Sequence, residues 1–174
     1  MAFGMPAYME MVRNTQIRNA AESIHAGIQL ARIEALKRNT NTSFWLVSLT
    51  DPKIMNNTCV LSGASPSWVV SIDDPTGQCG SAPSNTTAPR IVQTHAAGDG
   101  GLNVALTVQP AGGDRVTFNG LGQAVAGGTS LTRIDVASSQ NAAGFRSLRI
   151  IISSSGSTRL CDPAITAVDD PRRC

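Results

Sequence analysis

Apolar residues between positions 8 and 38 recur with the period of an α-helix. Ile17, Ala21, Ile24, Ile28, Ala31 and Ala35 are spaced alternately four and three residues apart, which places them on one stripe for packing against a sheet or a neighbouring subunit. Arg18, Glu22, Arg32, Glu34 and Lys37 fall on the other faces. Arg18 with Glu22, and Glu34 with Arg38, stand at i,i+4, and Lys37 and Arg38 close the last turn, where cations offset the helix dipole. Pro6 fits the first turn of such a helix, or a kink if the helix begins further upstream. The alanines in the stripe leave room for a sheet to approach closely.

After residue 40 the period changes. Short runs rich in β-branched and aromatic residues at 43–49, 59–61, 68–72, 90–94, 102–108, 115–118, 131–136, 148–152 and 158–161 predict strands. Turn residues separate them, including Asp-Pro at 51 and 74, Gly112-Gly113, Asn119-Gly120, Gly127-Gly128 and Ser155-Gly156. Residues 75–89, dense in Ser, Thr, Asn and Pro, read as a loop. A helix followed by strands, without alternation, predicts an α+β fold of antiparallel strands. The whole chain, 1–174, reads as one domain, with a helix over about 6–38 and a β region over about 43–174.

Composition sharpens this picture. Charged residues make up 15% of the chain, well below the usual quarter, so short strands and many turns account for most of it. A net charge of +2 is too small to draw the molecule to nucleic acid or an anionic membrane by long-range field. The charge is uneven: both ends carry an excess of Lys and Arg, and the middle an excess of Asp and Glu. Twelve of the fourteen basic residues are arginine, and Arg146, Arg149, Arg159, Arg172 and Arg173 cluster near the C-terminus. Guanidinium groups suit phosphate. The plainer expectation is that these are outward residues of edge strands, partly neutralised by Asp162, Asp169 and Asp170.

The four cysteines, Cys59, Cys79, Cys161 and Cys174, have no CxxC spacing, and with only His25 and His95 no zinc site can be written. Disulfides are expected, and of the three pairings the sequential one closes two short loops rich in Pro, Gly or Asp. Such bridges imply an oxidising compartment. Gln78-Cys79-Gly80-Ser81 with His95 downstream could suggest a nucleophile and its base, but no third group orients them and a disulfide explains Cys79 more simply. No catalytic residue, cofactor or small-molecule substrate is predicted. The glycine pairs near 98–101 and 120–122 precede no helix and read as turns. The sequons at Asn41, Asn56 and Asn85 need no glycan, and His25, one position off the stripe, is expected to be half-exposed.

No secretory signal and no long apolar run is visible. The opening residues, with Met1, Phe3, Met5, Tyr8, Met9 and Met11 among few charges, read as the end of a more hydrophobic stem that is missing here.

The run from Gln16 to Asn39 resembles the first helix of the GspH/FimT family of minor pilins and pseudopilins. Phe118-Asn-Gly-Leu-Gly, Leu148-Arg-Ile-Ile-Ile-Ser, Gly156 to Arg159, Leu160-Cys-Asp-Pro and the ending Asp170-Pro-Arg-Arg-Cys174 resemble its last strands and closing disulfide. The resemblance implies a structural subunit of a type IV pilus or type II secretion pseudopilus, which acts by packing with other pilins and helps initiate or cap a filament. It further implies a stem held in the inner membrane, a domain in the periplasm before assembly, and residence in a filament afterwards. Competence-related members bind DNA through Gly-Arg-x-Arg near the C-terminus. Here Gly156-Ser157-Thr158-Arg159 keeps the glycine and the last arginine, with Ser157 in place of the first. DNA uptake is therefore the alternative role, with Gly156 and Arg159 as the matched positions and Arg146, Arg149, Arg172 and Arg173 as substitutes.

Overall fold

In the computed structural model, residues 5–98, 101–140 and 144–174 are described. Phe3 and the Asp99–Gly100 part of one glycine-rich turn lie outside them. The helix, α1 (Met5–Arg38), takes up the whole periodic segment with Pro6 in its first turn. It stops at Asn39, whose backbone turns left-handed (φ 48). There the Thr40 N–H donates to the Ala35 carbonyl at 3.2 Å, closing the orphan carbonyls as a Schellman-type cap does. All six stripe residues are buried. Ala20 and Gly27 share the same side.

Among the described residues, nine strands follow in two antiparallel sheets. The first contains β1 (Thr42–Ser48), β2 (Val60–Leu61), β3 (Ser67–Ser71), β4 (Ile91–His95) and β6 (Arg115–Phe118). β1 is central, with β3 and then β4 on one side, while β6 and β2 share its other edge. The second sheet runs β5 (Val104–Gln109), β7 (Arg133–Ser138), β8 (Leu148–Ile152) and β9 (Thr158–Cys161) in that order. Arg149 thus lies on an interior strand, and not on an edge as the sequence pattern alone implied.

The main core forms where α1 meets both sheets. Ile24 and Ile28 join Phe44 and Leu46 of β1, Trp68 and Val70 of β3, and Ile134 and Ile150 of the second sheet. Burying each such side chain contributes about 1.5–3 kcal/mol. Gly27 sets the approach distance, because a Cβ there would lie 2.8 Å from the Phe44 ring and 3.0 Å from the Trp68 indole. The opposite face of the first sheet has its own small core of Trp45, Val47, Val69 and Ile91. The Cys59–Cys79 bridge closes over it, which is why β1 and β3 are buried on both faces, like strands inside a layered sheet.

Candidate subunit-packing surface

Three side chains fix the sides of α1 to the β region. Trp68 Nε1 donates to Ser23 Oγ at 3.0 Å, His25 Nε2 lies 3.0 Å from Thr158 Oγ1, and Arg32 Nε donates to the Gly122 carbonyl at 3.0 Å. His25 is half-buried. Glu34, which the sequence pattern assigned to an outward face, is instead buried at 8% exposure. It lies along the flank of the stripe, where Arg38 Nε donates to it at 2.6 Å and Lys37 Nζ at 3.4 Å. These bonds, chiefly that from Arg38, hold its carboxyl below the usual range. Among the described residues, Arg18 and Glu22 form no ion pair.

The outward side of α1 carries a pattern of its own. Tyr8 (68% exposed), Met11 (71%), Ile33 (57%) and Leu36 (47%) stand in solvent together with Val12. At roughly 100° per residue these five lie within an arc of about 120°, opposite the buried stripe. They form two patches whose centres are about 36 Å apart along the axis at about 1.5 Å per residue, with Arg18, Glu22 and Gln29 between them. Leu36 packs beside Gly122, so the exposed Leu121 (74%) extends the second patch. The signal was present in the sequence as a second i, i+3, i+4 series, Tyr8, Met11 and Val12, hidden by the stronger alanine and isoleucine stripe.

Below its middle, α1 leaves the sheets and is held by polar contacts. The Arg146 N–H donates to Asn14 Oδ1 at 2.9 Å, and Asn14 Nδ2 donates to the Gly144 carbonyl at 3.3 Å. A cleft of about 590 Å³ opens here between α1, β8, β9 and the C-terminal tail. Its rim sets Arg18, Arg146 and Arg172 against Glu10, Glu22 and Asp162, so it is balanced in charge and no anion funnel.

The arginine candidates are spread over different tasks. Arg149 Nε donates to Asp135 Oδ1 at 2.5 Å, and the same carboxylate faces Arg133 Nε at 3.2 Å. Arg172 is paired with Asp170 at 2.7 Å, which brings the Asp170 carboxyl down to about 2. Arg159 donates to the Arg173 carbonyl and so ties the tail to β9. Arg146 and Arg173 are exposed. Gly156 has φ 82 in the β8–β9 turn, and a Cβ there would collide with the Gly122 carbonyl oxygen. Its place is therefore dictated by backbone packing. Cys161 and Cys174 are joined at the far end of β9, and Cys79, bonded to Cys59, has no free thiol. His95 stacks on Trp68 with ring centroids 5.6 Å apart.

The model of the family described as type II transport protein GspH matches residues 20–156 of this chain. Two crystal structures of the type IV minor pilin FimU from Pseudomonas aeruginosa, in space groups P21 and P65, are similar. The first is 17% identical over 88% of this chain and 94% of that one, with a TM-score of 0.49. The second is 18% identical over 87% and 97%, with a TM-score of 0.46. No curated protein matches this chain.

Proposed function

The chain belongs to the type II transport protein GspH family, and from that premise we propose that it is a minor subunit of a type IV pilus or a secretion pseudopilus. Its work is mechanical. The inner face of α1 builds the fold, and the outer face binds neighbouring pilins during filament initiation or capping.

The observation that carries this reading is the pair of exposed apolar patches on one helix whose other side is already fully buried. A monomer gains nothing from keeping Tyr8, Met11, Ile33 and Leu36 in water, whereas contiguous exposed apolar surface marks an interaction site. No helix among the described residues is long and apolar enough to cross a membrane. Anchoring in the inner membrane, with the domain in the periplasm, belongs to the same proposal and rests on kinship. The test is to fractionate filaments sheared from the native host and to delete the gene. This reading expects the chain in the filament fraction at low stoichiometry, and impaired piliation or secretion in the deletion strain. A chain absent from filaments, with both processes unimpaired, would overturn it.

DNA uptake is the second reading, supported by the exposed Arg146 and Arg173 and by Arg159, whose charges meet no carboxylate within ion-pair distance among the described residues. Binding of this kind weakens steeply with salt. Duplex retention that is undetectable at low salt, or indifferent to Arg159→Ala, would remove it.

A further inference from the structure

The strand edges of this molecule are protected unequally. An open edge presents unpaired N–H and C=O groups to any other strand, and proteins cover or charge such edges to prevent it. The outer carbonyls of β6, at Arg115 and Thr117, accept from Leu131 and Val125 at 2.8 Å each. In β4 the Ile91 carbonyl accepts from Ser84 at 3.0 Å, and the strand is bulged. β2 is two residues long. β9 carries Arg159 and runs under the disulfide-bonded tail, with the Asp162 N–H donating to the Arg172 carbonyl at 2.7 Å.

β5 has none of these devices. Its sequence, Val-Ala-Leu-Thr-Val-Gln, is without charge, proline or glycine. The ladder to β7 is fixed by the Ser139 N–H donating to the Asn103 carbonyl at 2.9 Å and by the register of Thr107 opposite Asp135. Hydrogen-bonded pairs alternate along an antiparallel ladder, so Ala105, Thr107 and Gln109 spend their backbone groups on β7. Those of Val104, Leu106 and Val108 point away from the sheet. The Val104 N–H is taken by the Gly101 carbonyl at 3.2 Å. The outward groups of Leu106 and Val108 meet no partner among the described residues.

We propose that a second copy of this chain pairs antiparallel with the free edge of β5 about Thr107, joining the two β5–β9 sheets into one. The register follows from which groups remain. Leu106 opposite Val108 of the second copy uses both open residues twice and makes about four backbone hydrogen bonds. A shift one way would call on the Val104 N–H that Gly101 occupies, and a shift the other way would call on Pro110, which has none. In the surviving register Thr107 faces its own counterpart in a non-hydrogen-bonded pair, an arrangement in which threonines interact favourably. No like charges on the strand oppose the contact, and the buried faces of Leu106 and Val108 become continuous with those of the partner. The pairing is isologous and closes on itself, so on the filament reading it is a state of the unassembled subunit. The dimer itself does not depend on that reading.

At a non-hydrogen-bonded position Cα atoms lie about 4.5 Å apart, within reach of a disulfide. Mild oxidation of a Thr107→Cys variant, with the native bridges checked by peptide mapping, is expected to give a covalent dimer joined at residue 107. Ala105→Cys alone should give no cross-link, whereas Ala105→Cys mixed with Gln109→Cys should cross-link. Sedimentation of the unmodified chain should move from monomer to dimer with rising concentration, and Thr107→Lys should hold it at monomer. A monomer throughout up to about 1 mM, or cross-linking of Ala105→Cys alone as readily as Thr107→Cys, would overturn the proposal.

Discussion

The inward face of α1 between residues 17 and 35 and its outward face at the two ends are built from similar residues and meet opposite fates. Ile17, Ile24 and Ile28 are fully enclosed, while Met11, Ile33 and Leu36 stand in water. The difference is in what the chain supplies to cover them. Two sheets converge on the inward side, and Gly27 allows the first of them to close in on it. Among the described residues the outward ends are only flanked, Leu36 by Gly122 and Met11 by the cleft beside β8 and β9, and both stay exposed. An apolar residue therefore says that a contact exists, and only its placement says whether the contact lies within the subunit or between subunits.

The largest effect expected from probing this contrast is Ile24→Ala. Removing three buried carbons where helix and both sheets meet should lower the unfolding free energy by about 2–5 kcal/mol, measured by denaturant titration. Gly27→Ala sharpens the contrast. In an exposed helix this change stabilises by up to about 1 kcal/mol, but here the new methyl meets two aromatic rings, and overpacking at about 1–3 kcal/mol should leave a net loss. A gain on the same titration would mean that the sheets can draw back, and that the inner face is not closely packed.

Glu34 gives a smaller and pH-dependent effect. Its folded pKa is depressed below the ordinary glutamate value, first by the hydrogen bond from Arg38. The unfolded chain therefore binds its proton more tightly than the folded one. The resulting stability is fully present above the unfolded value and is lost as pH falls through the folded one. Glu34→Gln should abolish that part of the acid dependence below about pH 5, as followed by thermal melts at falling pH. The smallest effect on stability is expected from Ile33→Glu on the outward side, within about 0.5 kcal/mol of zero.

Much of the fold is legible in the chain itself. The helix shows through its 3.6-residue period, and each of the nine strands through a short β-branched run between turn residues, with ends shifted by a few positions. Residues 90 and 102 illustrate why the ends move. Arg90 is left-handed at φ 47, and Leu102 lies within the turn that the Val104 N–H closes on the Gly101 carbonyl just before β5. The division into two sheets is not legible, because it depends on β6 crossing back to β1, and local sequence does not encode such pairing. The partner of Arg149 escapes for the same reason: Asp135 is a cross-strand neighbour, 14 residues away. Glu34 looked solvent-facing by charge alone, yet its place on the flank of the helix and its bonds to Arg38 and Lys37 let it be buried. The outward patches were hardest to read, since the stronger alanine and isoleucine stripe hides their period.

The most direct test alters only the outward side of α1 and reads the inward side through stability. Ile33→Glu with Leu36→Glu, expressed in the native host in place of the wild-type gene, should keep the thermal midpoint of the purified domain while the chain disappears from sheared filaments. Undiminished incorporation, or a loss of incorporation that merely follows a collapse in stability, would contradict the assignment of that face to neighbouring subunits.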